Sequence, residues 1–154
     1  MARRWWLAAG LALAAIGPGP RALAVPPQFL PVGGRWCLET GGPCLALEVP
    51  RTSQQYAWGL QQRPRLPPLR GMWFRFDPPA PARFWMHLTP QPLDMLFLRD
   101  GRVVAIETAQ PCMRLPCRSY GPLEPVEGVV ELAAGEAARL GLVVGSSAAP
   151  QLVP

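Results

Sequence analysis

The chain has 154 residues and a formal net charge of +5; 49% of its residues are hydrophobic and 21 are proline. This length and apolar content predict a single folded domain and exclude a disordered chain. Because proline cannot donate a backbone hydrogen bond, its abundance excludes a bundle of long helices and favours short strands joined by loops.

The first 24 residues have the regions of a secretory signal peptide. Arg3 and Arg4 precede the apolar run Trp5–Ile16, which is shorter than the roughly 18–20 residues that a membrane-spanning helix needs. Small residues at 22 and 24 provide a cleavage site. We therefore predict a signal peptide over 1–24 and an exported protein, periplasmic or secreted, with no membrane span after cleavage. The alternative is an uncleaved N-terminal membrane anchor.

Three of the positive charges belong to this leader. They come from Arg3, Arg4 and Arg21, so the chain after residue 24 carries a formal charge of only +2. No run of basic residues interleaved with aromatic ones follows, and we therefore do not expect a nucleic acid as partner.

The mature chain is predicted to begin with a Pro-rich lead-in over residues 25–35, followed by the folded domain over 36–146 and a frayed tail over 147–154. The domain opens with two predicted strands, Trp36–Glu39 and Cys44–Val49, around a turn. A short helix follows over Thr52–Leu60, with a hydroxyl residue to cap its start and Gly59 to end it.

The remaining predicted elements are mostly strands. The strands are Gly71–Phe76, Phe84–Leu88, Leu93–Leu98, Val103–Ile106, Gly128–Ala133 and Leu142–Val144, with a helix over Ala134–Leu140 and a Pro-rich loop over 77–82. Asp100 and Gly101 lie between two apolar runs and predict a hairpin, since Gly accepts the positive φ of a type I′ turn. Together these elements predict a mainly β fold, a compact single-domain antiparallel barrel or sandwich with one or two short helices.

The apolar centre of the mature chain contains the only histidine, His87, and an acid, Asp94, taken as the one acid inside an apolar run. If Phe84–Leu88 and Leu93–Leu98 pair as a hairpin, His87 faces Asp94 across it. A carboxylate in this place fixes the imidazole tautomer, which suits acid–base catalysis. The structural alternative is that Asp94 caps a turn by accepting backbone N–H groups.

Four cysteines in a chain with an export signal predict two disulfides, for which three pairings exist. Cys37–Cys44 with Cys112–Cys117 is favoured, because each bond closes a small loop within one turn. The alternative is a four-thiolate zinc site, although the spacings lack the two-residue gaps usual in such sites.

Motifs of known chemistry are missing from the sequence. It contains no glycine-rich phosphate loop, nucleophile elbow or His-Glu-x-x-His helix. The acids are scattered, and no spacing pairs two of them as a glycosidase requires. We therefore expect no cofactor and no metal. Three arginines in a Pro-broken loop, Arg63, Arg65 and Arg70, form either an anion-binding edge or ordinary solvated surface.

An ordered set of short motifs nevertheless resembles a known family, the domain of unknown function 192. The matching pieces are Gly59-Leu60 with Arg63, Gly71-Met72-Trp73-Phe74, Phe84-Trp85-Met86 with Thr89, Pro92-Leu93-Asp94 with Phe97, Glu131 to Gly135, Gly141 and Gly145. They span roughly residues 44–145. The resemblance implies a compact β-rich domain, often exported, without an assigned activity. His87 and Leu88 depart from the family pattern, which has Lys and Asn there.

Three functions remain open from the sequence. The first is a non-catalytic module of the cell envelope that binds a small ligand or an envelope protein. Its groove would be shaped by residues of the motifs: Trp85, Met86, Pro92, Asp94 and Arg63. The second is a small enzyme that uses His87 and Asp94 as an acid–base pair, and the third is a purely structural envelope protein. A non-catalytic role is favoured, because His87 is not the usual family residue.

Overall fold

The computed structural model describes residues 25–38 and 41–154. The predicted signal peptide lies outside the described residues. The described elements, in chain order, are β1 (Val32–Cys37), β2 (Cys44–Glu48), α1 (Ser53–Trp58), β3 (Arg70–Pro81), β4 (Phe84–Trp85), β5 (Leu93–Arg99), β6 (Arg102–Ala109), β7 (Ser119–Tyr120), β8 (Pro125–Ala133), α2 (Glu136–Arg139) and β9 (Gln151–Leu152).

Seven strands form one sheet in the order β6-β5-β8-β3-β2-β1-β9, and β4 pairs with β7 in a small second sheet. This arrangement confirms the prediction of a mainly β fold with two short helices. The large sheet does not close into a barrel, and it departs from a purely antiparallel sheet because β2 and β3 run parallel. The long connection between β2 and β3, which contains α1, allows this parallel pairing.

Two local predictions are confirmed by their turn and cap geometry. Asp100 and Gly101 have φ values of 51° and 67° and join β5 to β6 in an antiparallel pair. Thr52 caps α1 by accepting a hydrogen bond from the Gln55 backbone, while the Gln55 side chain bonds back to the Thr52 backbone. Gly59, with a φ of 50°, ends this helix.

The predicted hairpin between Phe84–Leu88 and Leu93–Leu98 is wrong. β4 pairs with β7, whereas β5 lies between β6 and β8 in the large sheet. The predicted loop over 77–82 is also wrong, because β3 continues to Pro81 after an irregularity between Arg75 and Ala80. Pro78 and Pro79 lie in this irregular part, where a missing N–H donor is tolerated, and Pro81 is at the end of the strand, opposite Pro125.

The large sheet is buried on both faces because its central strands are apolar on both sides. Met72 and Phe74 belong to a core cluster on one face, which also contains Leu60 from the end of α1. Trp73 points to the other face, where it shares a second cluster with Ala137 of α2. We call these the α1 face and the α2 face.

Parts of both flanks of the domain, the Pro-rich lead-in and the C-terminal tail, belong to the large sheet. β1 begins at Val32, and β9 pairs with it through Gly34 and Arg35. Ser147 forms a bridge with Arg102 of β6, and Ala148 is buried. The predicted strand over Leu142–Val144 does not form.

The favoured disulfide pairing is confirmed. Cys37 and Cys44 are bonded directly across the β1–β2 pair, and Cys112 and Cys117 are bonded within the loop between β6 and β7. All four cysteines of the chain are therefore paired in the structure.

Candidate functional site

A pocket with a cavity volume of about 360 Å³ opens on the α1 face, between α1 and the segment that connects β3 to β4. We call it the aromatic pocket, because six aromatic side chains line it: Tyr56, Trp58, Phe74, Phe76, Phe84 and Trp85. Its other lining residues include Leu60, Arg83, Thr89 and Glu131. Pockets for small molecules are typically roughly 300–1,000 Å³ and mostly apolar, so its size and composition fit a ligand site.

The walls of the aromatic pocket are held by ring packing. Phe74 contacts Phe84 edge-on, with ring centroids 4.9 Å apart, and Tyr56 at 5.8 Å. The Tyr56 hydroxyl donates a hydrogen bond of 2.7 Å to the Arg75 carbonyl oxygen. Edge-to-face pairs of this kind stabilise one ring arrangement, so the walls are preformed before any ligand binds.

Glu131 reaches this pocket because of its place in β8. Strand alternation puts its side chain on the α1 face together with Val129 and Ala133, which belong to the core cluster there. In the sheet register it lies between Met72 of β3 and Met95 of β5. Only 4% of Glu131 is exposed. A carboxyl group is therefore placed among apolar side chains at the wall of the pocket.

The Glu131 carboxyl has no partner among the described residues. The ion pairs found there all involve other carboxylates. Burial raises its pKa from the ordinary value of 4.5 to about 8. At neutral pH the group is therefore mostly protonated and neutral.

Two further polar groups line the same pocket. The indole N–H of Trp58 is buried and finds no acceptor in the described part of the chain. Arg83 is exposed, and its guanidinium donates to the Gly121 carbonyl oxygen at 2.8 Å. The pocket thus combines apolar walls with two polar groups that have no hydrogen-bond partner in the described residues, the Glu131 carboxyl and the Trp58 indole N–H.

The predicted ligand-binding residues are only partly brought together at this site. Trp85 lines the pocket and is 51% exposed. Met86 is buried in the core of the α1 face. Pro92 accepts a hydrogen bond from the Ala134 N–H at 3.1 Å and does not line the pocket.

Asp94 has a structural position on the α2 face. Its carboxylate accepts hydrogen bonds from the Thr108 hydroxyl at 2.9 Å and from the backbone N–H groups of Gly135 at 2.8 Å and Ala137 at 3.1 Å. It thereby holds the start of α2 against the sheet. Backbone capping by Asp94, which the sequence left as the alternative, is what its contacts show.

His87 is not opposite Asp94, contrary to the predicted acid–base pair. The sheet register places Thr108 and Leu132 opposite Asp94. His87 instead forms a bridge with Cys112, and its ring centroid lies 5.4 Å from that of Trp85. The pair was derived from the hairpin, and the hairpin does not form.

Arg63 lies inside the domain and not on an anion-binding edge. Its guanidinium forms two hydrogen bonds with Glu48, of 3.0 and 3.1 Å, and donates to the Gln28 carbonyl oxygen at 2.9 Å. Phe29 stacks on it at 4.1 Å. Both charged residues are buried, so this pair joins the lead-in to the sheet.

Sequence reasoning missed Glu131, although a signal for it exists. Its strand reads Val129-Val130-Glu131-Leu132-Ala133, so Glu131 is a second acid inside an apolar run. Strand alternation places it on the same side as Val129 and Ala133, both apolar. A charged residue at a core position of a strand is costly, and this is the pattern that indicates a functional or paired acid.

Two other observations concern the described residues only. Across 25–38 and 41–154, no cluster of three His, Cys, Asp or Glu side chains is arranged to hold a metal ion. In the same part of the chain, the helices are too short and too polar to cross a membrane.

Comparisons with known proteins agree with the fold. The profile of the family DUF192, described as "Uncharacterized ACR", matches residues 37–149. A crystal structure of a protein of unknown function from Novosphingobium aromaticivorans is 31% identical, with a TM-score of 0.66, and the match covers 87% of this chain and 99% of that one. A protein from Sinorhizobium meliloti, described as a "putative transcription regulator", is 33% identical with a TM-score of 0.63, covering 77% and 91%. Among curated proteins, none matches this chain.

Proposed function

The chain belongs to the uncharacterised DUF192 family, and on that premise we propose that it is a binding module whose aromatic pocket takes a small, largely apolar organic molecule. Glu131 supplies the polar contact that orients the ligand. The observation that carries this proposal is a buried carboxyl without a partner in the wall of a preformed pocket. The role is non-catalytic.

The energetics of Glu131 support a ligand site over a purely structural role. Desolvation of this carboxyl, which is 4% exposed and has no partner in the described residues, destabilises the fold, and a structural core has no reason to retain it. A ligand that bonds to the carboxyl and fills the cavity offsets that cost. A purely structural envelope protein, the third function open from the sequence, offers no such compensation.

The family motifs converge on the same pocket. Residues from four separate motifs line it, and they lie far apart in the chain: Gly59, Leu60, Phe74, Phe84, Trp85, Thr89 and Glu131. Other motif residues lie away from the pocket, such as Met86 in the core and Asp94 at the start of α2. The four motifs that meet around this one cavity support a ligand site there.

We place this binding module outside the cytoplasm, in the periplasm or the medium. Two disulfides in a domain of this size are typical of oxidising compartments. The predicted signal peptide over residues 1–24 supports the same location. The ligand is then a molecule of the cell envelope or its surroundings.

A second candidate function is a small enzyme with Glu131, instead of the pair of His87 and Asp94, as its acid–base group. The raised pKa of Glu131, about 8, favours it, because such a carboxyl exchanges protons readily near neutral pH. A Glu131→Gln variant separates the two functions. If the protein is an enzyme, the wild type converts its substrate and Glu131→Gln binds the substrate without converting it; if it is a binding module, the wild type leaves its ligand chemically unchanged and Glu131→Gln changes only the affinity.

A thermal-shift screen of small apolar and amphiphilic molecules tests the proposal. A ligand at 100 times its Kd stabilises the native state by about 2.7 kcal/mol and raises Tm accordingly. We expect hits on the wild type whose shifts shrink in Trp85→Ala, which removes part of the pocket rim. The matched control is Leu152→Ala, because Leu152 is 50% exposed on β9 and does not line the pocket.

Two results would contradict the binding function. One is a diverse screen, run at pH 6 and pH 9, in which no compound raises the Tm of the wild type. The other is a set of hits that shift Trp85→Ala and Leu152→Ala equally, which would place the bound compounds elsewhere.

A further inference from the structure

We propose that the ligand of the aromatic pocket is an organic cation, an alkylated ammonium group held against the aromatic rings and paired with the Glu131 carboxylate. This inference rests on the proposed function, since it names the class of molecule that the pocket binds. It is carried by two features of one cavity: an aromatic wall, and a buried acid that lacks a cation.

The composition of the wall suits such a cation. Six aromatic side chains surround the cavity, and their ring faces carry negative charge density. Cages of aromatic residues recognise quaternary ammonium groups, and each cation–π contact contributes more when water is excluded. A neutral apolar ligand gains only from burial in this cavity. An alkylated ammonium ion gains from the rings and from a carboxylate.

A second buried glutamate on the same face shows what Glu131 lacks. Glu48 and Glu131 lie on either side of Met72 in the sheet register, and their exposures are 2% and 4%. Glu48 is bonded to the Arg63 guanidinium. Glu131 has no such cationic partner in the described residues, so a cation supplied by a ligand would complete the ion pair.

The other ionisable groups around Glu131 are already engaged. The Tyr56 hydroxyl is bonded to the Arg75 backbone, and the Arg83 guanidinium donates to Gly121 while remaining exposed. Further along the sheet, Glu48 pairs with Arg63 and also lies 3.8 Å from Arg70, and Glu107 pairs with Arg118. Within residues 25–38 and 41–154, Arg83 alone lines the pocket with a positive charge, and solvent screens it at the exposed rim.

Binding of the cation has a defined proton balance. The neutral Glu131 carboxyl loses one proton to solvent as the ammonium ion enters, and the resulting carboxylate pairs with it. No covalent bond forms or breaks in the ligand. Apparent affinity therefore rises with pH up to the pKa of the free carboxyl, about 8, and is constant above it.

The test uses phenyltrimethylammonium, whose charge does not change with pH, and tert-butylbenzene, which has the same shape without charge. Binding to the disulfide-bonded protein is measured by NMR chemical shifts and by calorimetry at pH 6 and pH 9. We expect the cation to bind on the order of 100-fold more tightly at pH 9, from the two pH units that separate pH 6 from a pKa near 8. Calorimetry in buffers of different ionisation enthalpy at pH 7 should show release of close to one proton.

Two variants locate the effect. Glu131→Gln should remove both the pH dependence and the proton release. Trp85→Ala, at an exposed rim position that threatens the fold little, should weaken the cation several-fold at both pH values and keep the pH dependence. If Glu131→Gln folds poorly, Trp85→Ala still tests whether the cation binds in the aromatic pocket.

Other results would overturn the cation assignment. If the neutral isostere binds as tightly as the cation, or if affinity falls as pH rises, the pocket takes neutral ligands through a protonated Glu131, and the proposed binding function stands. If neither probe binds at either pH, the cation assignment fails. The thermal-shift screen then decides the binding function separately.

Discussion

Glu48 and Glu131 are the same amino acid, on the same face of the same sheet, separated by one strand, and they have opposite surroundings. Glu48 is bonded to Arg63, and its carboxylate also accepts the Leu30 backbone N–H at 2.9 Å. Glu131 has neither a cation nor a donor in the described residues. Burial alone therefore does not identify a site; the partners of the buried group do. A paired acid holds the fold together, whereas an unpaired acid beside a cavity indicates a ligand.

The largest difference that we expect between the two glutamates is the loss of stability when each is replaced by glutamine. Glu48→Gln leaves the Arg63 guanidinium buried without its counterion, and removal of one partner of a buried pair costs about 3–5 kcal/mol. Urea unfolding under non-reducing conditions measures this loss. Glu131→Gln is the matched control, with the same chemical change on β8, at the other side of β3, and should lose less than about 1 kcal/mol at pH 6. Equal losses in the two variants would show that Glu131 has a partner after all.

An effect of similar size is expected from pH. The folded-state pKa of Glu131, about 8, lies above the ordinary 4.5, so above pH 4.5 the unfolded chain releases a proton that the folded chain retains. The free energy of unfolding contributed by this group therefore falls as pH rises from 4.5 to 8, by about 3–5 kcal/mol in total, and is constant above pH 8. Unfolding titrations at pH 5, 6.5 and 8 measure it.

Glu131→Gln should lack this pH dependence and should be more stable than the wild type at pH 8. Since Glu48, Asp94 and the other acids are unchanged in this variant, the difference between the two curves isolates Glu131. Parallel curves would mean that Glu131 is ionised in the folded protein at neutral pH.

The smallest of these effects extends the comparison to the α2 face. Asp94→Asn retains one acceptor oxygen and turns the other into a donor that faces backbone N–H groups, so we expect a loss of about 1–2 kcal/mol. Amide hydrogen exchange should accelerate at Gly135 and Ala137. Asp100→Asn is the control, because Asp100 is exposed in a turn where Asn accepts a positive φ. Unchanged exchange at both amides would show that water replaces the Asp94 carboxylate.

Short-range features of the fold could be predicted from the sequence. The Asp100-Gly101 hairpin, the Thr52 cap and the disulfides each depend on residues within a few positions of one another. The pairing of β4 with β7 and of β5 with β8 could not be predicted, since it joins segments about 35 residues apart and no turn residue signals it. The prolines at 77–82 led to the wrong prediction of a loop, because a strand tolerates proline where its pairing is irregular.

The candidate site was harder to predict than the fold. Trp85 was identified from its motif, and it does line the pocket. Glu131 was overlooked among scattered acids, although the alternation of β8 places it on the core side. A catalytic role was predicted for Asp94 because it lies inside an apolar run of the sequence. Its three hydrogen-bond donors come from β6 and from the start of α2, which are distant in the chain. Such partners depend on tertiary structure.

The C-terminal segment touches the outer strands at both ends of the large sheet. The Gly145 N–H donates to Val103, Ser147 bridges to Arg102, and β9 then pairs with β1 at the opposite end. Open strand edges are the places where β proteins recruit further chains and grow into fibres. By occupying part of each edge, eight residues of one short segment limit strand addition at both ends, a form of self-protection against aggregation for a domain that is proposed to work outside the cytoplasm.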